Sequence, residues 1–161
     1  MGEPEVPTVH EFLKKNLTQG RCLGFDGRTV SAKEAAELEK MLDENGVSLS
    51  VDHDLAGDIW ENRPVLSCEP VTELDIKWAG ESRADKCARI RKAMEKKGAD
   101  LFVLTSLDDI AWLLNIRGND IAYCPLVLSY AIVYNNSVEL FADIRKFSDD
   151  IINLLAENQV K

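Results

Sequence analysis

The sequence predicts an α/β fold, because segments with the apolar spacing of helices alternate with short runs of strand-forming residues. The clearest example is residues 21–51. Ser31, followed three residues later by Glu34, is a typical helix start, and Gly46 suits the left-handed residue that ends a helix. The runs RCLGF and VSLSV flank this helix, so the segment predicts a strand–helix–strand unit with parallel strands.

An irregular segment separates this unit from a second group of elements. Between Pro64 and Gly80 the apolar residues show no clear period, and two prolines interrupt the segment. We therefore predict a domain boundary here, with a first domain at residues 1–66 and a second at residues 67–161.

Further helices and strands are predicted on both sides of this boundary. The helices are expected at residues 54–63, 83–97, 107–115 and 148–158, and the strands at 101–105, 127–134 and 137–143. The unbroken apolar run LFVLT at 101–105 predicts a buried strand. Asn135 and Asn136 tolerate positive φ, so they predict a hairpin turn between the last two strands.

Composition limits the classes of partner. The formal net charge of −9 repels a phosphate backbone, so we expect no nucleic-acid partner. No stretch approaches the roughly 18 consecutive apolar residues of a membrane span, and the N-terminus lacks signal-peptide features. We therefore expect a cytoplasmic protein without a membrane partner. The four widely spaced cysteines are expected to be buried thiols.

No local motif predicts catalysis or metal binding. Asp52, His53 and Asp54 follow a strand, but a single histidine without a further ligand favours a turn in which Asp54 caps a helix. The glycine-containing loop LGFDGRT lacks the G-x-G-x-x-G fingerprint of a nucleotide site. With only His10 and His53 in the chain, a nucleophilic triad has little support.

The segment from Leu104 to Tyr130 combines an apolar helix with the polar sequence Arg-Gly-Asn-Asp. Trp112 within the helix is expected to be a core residue. Two interpretations of the polar sequence stay open: Arg117 and Asp120 form an ion pair that closes a turn, or Arg117 projects to bind a carboxylate. Spacing favours the ion pair.

The same segment carries a family resemblance. LTSLDDIAWLLNIRGNDIAYCPLVLSYAIV resembles the second domain of three-domain Xaa-Pro aminopeptidases (aminopeptidase P) of the creatinase/prolidase superfamily. Upstream, TVHEFLKKNL, RCLGFDGRTVSAKEAAEL and DHDLAGDIWENRP are similar to the closing part of the first domain of these enzymes. The resemblance extends from about Thr8 to Phe141.

The resemblance implies an α/β fold of the creatinase/prolidase N-terminal type, which is a ribonuclease-H-like mixed sheet flanked by helices. Residues 1–66 then correspond to the C-terminal portion of a first such domain, and residues 67–161 to all or part of a second. The leading strands of the first domain are missing, so we expect a truncated fragment. Open strand edges predict that residues 1–60 are less ordered than 80–158, or are paired with a second chain.

The resemblance also implies a function for the parent protein. It would be a metal-dependent aminopeptidase that hydrolyses the bond between an N-terminal residue and proline, with two divalent ions, Mn or Zn, in a catalytic domain that follows Lys161. This chain matches none of the metal ligands or catalytic residues, so the fragment alone is expected to be inactive.

The implied partners are short proline-containing peptides in the whole enzyme and a second subunit in a homodimer. Asp109 and Arg117 are the candidates for contacts with the catalytic domain or the mouth of its active site, and Asp109 has a competing role as a helix-capping acid. The alternative is a free-standing α/β binding or assembly module without catalysis.

Overall fold

A computed structural model describes residues 5–161, and the chain divides into two compact units, Met1–Pro64 and Val65–Lys161. This division lies two residues before the boundary predicted from the sequence. That residues 1–66 and 67–161 belong to two domains of the creatinase type stays a prediction. Across the described range, no helix is both long enough and apolar enough to cross a membrane.

The first unit contains the predicted strand–helix–strand arrangement. Its elements are α1 (Val9–Asn16), β1 (Cys22–Gly24), α2 (Ala32–Asp43), β2 (Ser48–Ser50) and α3 (Leu55–Ile59). The strands β1 and β2 pair in parallel, as predicted. The Ser31 hydroxyl accepts a hydrogen bond from the Glu34 amide at 3.2 Å, and Gly46 has the expected positive φ of 65°.

Helix α3 is shorter than the predicted 54–63. Its start is as expected, because an Asp54 carboxylate oxygen accepts the Gly57 amide at 2.7 Å. The other oxygen of Asp54 pairs with Arg28 at 2.9 Å and with Arg63. The helix ends early because the Trp60 amide donates to the Gly57 carbonyl three residues back, which tightens the last turn.

The second unit contains more elements than the sequence predicted. They are β3 (Thr72–Glu73), α4 (Ile76–Ala79), α5 (Arg83–Lys97), β4 (Leu101–Leu104), α6 (Leu107–Leu114), β5 (Ile116–Arg117), β6 (Ser129–Tyr134), β7 (Val138–Ala142), a 3-10 turn (Ile144–Lys146) and α7 (Asp149–Ala156). The short β3 and α4 lie in the segment that the sequence left irregular, because elements of two to four residues cannot show a period.

The strands β4, β6 and β7 form one antiparallel sheet in that order. Its register pairs Phe102 with Val133, Leu104 with Ala131, and Val133 with Val138. The hairpin between β6 and β7 is therefore confirmed. Neither of its turn asparagines has positive φ, so that detail of the prediction is wrong.

The strand β4 differs most from its prediction. It was predicted to be buried, but Leu101, Phe102 and Val103 are all between 43% and 52% exposed. Its pairing with β6 is antiparallel, as expected for the hairpin strands beside it. Only Leu104 is buried. Leu101 and Val103 point to the sheet face away from the core, whereas Phe102 shares the face of Leu104 and is exposed because β4 lies at the edge of the sheet.

The core of the second unit lies between one sheet face and the helices α5, α6 and α7. Its buried residues include Cys87, Met94, Ile110, Leu113, Leu114, Ala131, Val133, Val138 and Leu155. Among the four cysteines only Cys87 is buried, whereas Cys22, Cys68 and Cys124 are exposed. The prediction of four buried thiols is wrong for these three, since they lie on the short strand β1 or on surface loops.

Amide hydrogen exchange should differ between the two units. The described part of the first unit buries only the apolar side chains Leu38, Leu42 and Val47, and its sheet has two strands of three residues. We expect residues 22–50 to exchange faster than residues 101–142, or to gain protection only as protein concentration rises. Equally high protection of both segments in a strictly monomeric sample would contradict this.

Candidate functional site at the end of helix α6

Helix α6 begins with two exposed acids. The Ser106 hydroxyl accepts the Asp109 amide at 3.4 Å, so Asp109 contributes its backbone to the cap. Within residues 5–161, no hydrogen bond or ion pair engages the Asp109 carboxylate. Asp108 and Asp109 both lie in the first turn, where negative charge is favoured by the helix dipole. The Asp109 side chain therefore stays available to another surface.

Helix α6 ends at Asn115, which has a left-handed backbone with φ of 50°. Asparagine adopts this conformation more readily than most residues. Its side chain is also fixed, because Oδ1 accepts a hydrogen bond from Lys86 Nζ at 2.6 Å and Nδ2 donates to the Glu81 carbonyl at 3.0 Å. Asn115 thus joins the end of α6 to the beginning of α5.

Two buried cations from α5 meet the last carbonyls of α6. Lys86 is 1% exposed and donates to the Trp112 carbonyl at 2.8 Å. Arg83 is 5% exposed and donates to the Leu114 carbonyl at 2.9 Å, while its other end pairs with Glu73 at 2.9 Å. Helix C-terminal carbonyls lack partners within the helix and carry partial negative charge, so these cations stabilise the helix end.

Trp112 is 41% exposed, so the prediction of a core residue is wrong. The Lys86 ammonium lies 4.5 Å from the centre of its ring, and the Arg89 guanidinium lies 5.2 Å from it. The ring faces these cations through a cation–π contact instead of filling the core. Burial lowers the pKa of Lys86; Glu81 opposes this effect and Arg117 adds to it.

Arg117 lies half-buried on β5, and its Nη1 donates to the carbonyls of Ala111 at 2.9 Å and Ile116 at 2.8 Å. No carboxylate of the described chain lies within ion-pair distance of it. The ion pair with Asp120 that spacing favoured is therefore absent. The guanidinium lines a shallow cavity of about 230 Å³ together with Asp108, whereas Asp109 does not line it.

Tyr123 forms another wall of this cavity and is the most exposed of the large hydrophobic side chains in the described chain. Its φ of 65° is left-handed, which is rare for an aromatic residue and marks local backbone strain. The loop therefore holds an aromatic ring in solvent beside a fixed guanidinium.

Asp120 pairs with Lys146 rather than with Arg117. One carboxylate oxygen accepts Lys146 Nζ at 2.6 Å and the Leu128 amide at 2.7 Å. The two charged side chains are 1% and 3% exposed. Burial acts to raise the pKa of Asp120, but the hydrogen bonds from Lys146 and Leu128 outweigh it, so the pKa lies below its usual value. No local pattern predicts this pair, because the partners are 26 residues apart.

Gly118 allows the loop to close tightly between Arg117 and Asp120. A Cβ atom at this position would lie 2.7 Å from a methyl carbon of Val127 and 3.0 Å from the Leu126 carbonyl oxygen. A larger residue would push the loop away from the start of β6. Glycine therefore sets the position of the Arg117 cavity.

The described residues do not offer a site for the two metal ions that the resemblance implies. No three His, Cys, Asp or Glu side chains of residues 5–161 are arranged to hold an ion. Asp54, in the only sequence cluster of this kind, is already engaged by Gly57, Arg28 and Arg63. The charged side chains of Arg117 and Asp109, near the two ends of α6, can instead bind charged groups on a facing surface.

Replacing Lys86 by alanine should destabilise the second unit. The substitution removes the Lys86 donor of the buried Asn115 amide oxygen and the shorter of two hydrogen bonds to the Trp112 carbonyl, which together costs about 2 kcal/mol. Urea unfolding followed by circular dichroism measures the loss. Lys92→Ala, at an exposed position of the same helix, is the matched control and should change stability by less than about 0.5 kcal/mol. Equal effects of the two substitutions would contradict the capping role.

Replacing Asp120 by asparagine should destabilise the protein and change its response to acid. The variant leaves Lys146 buried without a counter-charge, at a cost of about 3–5 kcal/mol at pH 7. Because the pKa of Asp120 is lowered in the folded state, its contribution is complete above the unfolded pKa of about 3.9 and is lost as pH falls further.

Urea unfolding at pH 7 and at decreasing pH tests this pair. The gap in unfolding free energy between wild type and Asp120→Asn should narrow below about pH 3.9. The exposed Asp100→Asn serves as control and should behave like wild type. A gap that is small at pH 7, or that does not depend on pH, would contradict the assignment.

Comparisons with known proteins confirm the resemblance. Residues 62–161 match the sequence model of the Creatinase/Prolidase N-terminal domain. The chain is 40% identical over 160 residues to a probable Xaa-Pro aminopeptidase P of Sordaria macrospora, covering 98% of this chain and 26% of that protein. It is 37% identical over 158 residues to Aminopeptidase P1 of Lotus japonicus, covering 98% of this chain and 24% of that protein.

A solved structure is also similar. The X-prolyl aminopeptidase from Caenorhabditis elegans, described as a cytosolic enzyme with a di-nuclear active site, superposes with a TM-score of 0.84 at 33% identity. The similarity covers 99% of this chain and 26% of that one, so the chain spans about a quarter of the length of the relatives it matches. The predicted fold class is confirmed. This chain belongs to the creatinase/prolidase N-terminal domain family and resembles the N-terminal region of Xaa-Pro aminopeptidases.

Proposed function

We propose that this chain is the non-catalytic N-terminal part of a metal-dependent Xaa-Pro aminopeptidase, an enzyme that hydrolyses the peptide bond between an N-terminal residue and proline. The observation that carries the proposal is similarity over nearly the whole chain to aminopeptidases about four times as long.

In this proposal the chain supports catalysis without performing it. Two divalent ions, Mn or Zn, would be bound outside this chain and would supply activated water for attack on the Xaa-Pro amide. The substrates would be short proline-containing peptides, and the enzyme would be a cytoplasmic homodimer. The C. elegans enzyme is described as cytosolic and as having a di-nuclear active site, which supports a two-ion site and the cytoplasmic location in this proposal.

Arg117 and Asp109 are proposed as contacts to the catalytic domain or to the mouth of its active site. Arg117 is held by two carbonyls, so its planar donors have a fixed direction, yet no carboxylate of the described chain neutralises it. A carboxylate on the facing surface, or on a peptide substrate, would fit this donor. The free carboxylate of Asp109 would instead meet a cation.

The purified chain should not cleave an Xaa-Pro dipeptide in the presence of Mn²⁺ or Zn²⁺, because the ligands for the ions are expected elsewhere. Release of the N-terminal amino acid is the measurement, with a complete Xaa-Pro aminopeptidase as positive control. Measurable turnover by the chain alone would overturn the proposal.

The role of Arg117 is tested in the protein encoded by the complete gene. Arg117→Ala should lower kcat/KM for an Xaa-Pro peptide about tenfold or more, because a fixed charged contact is lost. Arg21→Ala, at an exposed arginine of the first unit, is the control and should leave kcat/KM unchanged. A folded Arg117→Ala variant with wild-type kinetics would contradict the contact.

The gene itself separates the proposal from the alternative. A reading frame that continues past Lys161 into a domain with two aspartates, a histidine and two glutamates as metal ligands supports the aminopeptidase. A stop codon directly after Lys161 would contradict it and favour a free-standing binding or assembly module.

A further inference from the structure

The turn after helix α2 carries the one Asn-Gly pair of the sequence, Asn45-Gly46. An asparagine side chain can reach the backbone nitrogen of the next residue, and glycine has no Cβ atom that would hinder attack by this nitrogen. Every other asparagine of the chain precedes a residue with a side chain. Asn45 is therefore the asparagine whose backbone neighbour is best suited to react with it.

The structure places this pair in a weakly held turn. Gly46 is exposed and has a left-handed φ of 65°. Its amide donates to the Asp43 carbonyl at 2.9 Å, within the last turn of α2, where helices fray. Among the described residues, the Asn45 side chain makes one long hydrogen bond, from Nδ2 to the Lys14 carbonyl at 3.4 Å. The opening of these two bonds frees both reacting groups.

We propose that Asn45 is a site of spontaneous deamidation, which converts this residue to aspartate or isoaspartate without an enzyme. The Gly46 nitrogen loses its proton to a base and attacks Cγ of Asn45. The new bond from nitrogen to Cγ forms as the bond from Cγ to Nδ2 breaks, and Nδ2 leaves as ammonia with a proton from water. Water then opens the cyclic imide at either carbonyl, which gives the two products.

A related pair, Asp26-Gly27, shows how the structure decides which site reacts. An aspartate forms the same imide when its carboxyl group is protonated, because the neutral acid is the better electrophile. Arg28 binds both oxygens of the Asp26 carboxylate, at 2.9 and 2.8 Å, and lowers the pKa of Asp26 to about 2. The Gly27 amide is held by the Val51 carbonyl at 3.0 Å. This pair therefore stays unreactive near neutral pH, and the described chain gives Asn45 no such restraint.

The products of deamidation carry a negative charge where the fold disfavours one. Position 45 follows the C-terminus of α2, where the helix dipole favours cations, and it comes directly after Asp43 and Glu44. A carboxylate has no N–H to donate to the Lys14 carbonyl, so two acceptors would face each other across the contact between α1 and α2. Deamidation should therefore loosen α1.

Isoaspartate has a second effect, because it adds one carbon to the backbone before Gly46. The Gly46 carbonyl accepts the Gly20 amide at 3.0 Å, and the amide of the buried Val47 donates to the Leu42 carbonyl at 3.1 Å. These bonds set the point at which the chain enters β2, which pairs with β1. The longer backbone shifts this point and should weaken the pairing of the two strands.

Mass spectrometry of the 161-residue chain, incubated at body temperature at neutral and at mildly alkaline pH, tests the proposal. Fragmentation of a digest should locate a gain of one mass unit at position 45, faster at alkaline pH because attack requires the deprotonated nitrogen. Asn45→Gln should remove this product, because the longer side chain closes a less favourable ring. Asn136→Gln, at an exposed asparagine of the turn between β6 and β7, is the matched control and should deamidate at position 45 like wild type.

Hydrogen exchange measures the structural consequence separately. Asn45→Asp reproduces the charge of the aspartate product. Amides of residues 9–17 should exchange about three- to tenfold faster in this variant than in wild type, as expected for the loss of one hydrogen bond. Residues 101–142 of the second unit should be unchanged. Circular dichroism of Asn45→Gln, which should match wild type, checks that the blocked variant is folded.

The proposal is overturned if position 45 keeps its mass while an unfolded peptide with the same Asn-Gly sequence deamidates under the same conditions. It is also overturned if Asn45→Gln gains mass there at the wild-type rate. Unchanged exchange of α1 in Asn45→Asp would overturn the structural consequence. None of these results bears on the aminopeptidase assignment, which depends on the gene and on the Arg117 kinetics.

Discussion

The buried ion pair between Asp120 and Lys146 holds together three segments that are distant in sequence. Asp120 belongs to the loop after β5, and the same carboxylate receives the Leu128 amide just before β6. The backbone carbonyl of Lys146 accepts the amide of Val71 at 2.8 Å, which brings in the chain that leads to β3. A buried pair adds little net stability, but the loss of either partner leaves an isolated buried charge. Such a pair therefore strongly favours one arrangement of the loop.

The other end of the loop is fixed by different chemistry. Asn115, Lys86 and Arg83 satisfy the terminal carbonyls of α6 and leave little freedom where the loop begins. Arg117 lies between these two anchors, and Tyr123 follows Asp120 in the same loop; both line the shallow cavity. A charged contact presented from a loop with fixed ends loses little conformational entropy on binding, which suits the interdomain role proposed for Arg117.

Local signals made much of the fold predictable. Ser82 and Gly98 mark the two ends of α5, and the apolar runs located the strands of the hairpin, because caps and short periodic patterns depend on nearby residues. Whether a side chain is buried depends on which distant elements pack over it, so burial was less predictable from local sequence. Lys86 looks like a solvent-facing residue of an ordinary helix, and the exposure of β4 follows from its edge position, which no window of sequence shows. The candidates Asp109 and Arg117 came from family resemblance, and their contacts could not follow from spacing because the actual partner of Asp120 is far along the chain.

Because Cys87 is buried, the rate at which a thiol reagent labels it reports the opening of the second unit. This thiol is 1% exposed within the core cluster, and burial raises its pKa, so the reactive thiolate is rare in the folded state. Cys22, Cys68 and Cys124 are exposed and would consume a thiol reagent at once. The slow phase of labelling would then come from Cys87 alone and would report how often α5 separates from the sheet, without any engineered probe.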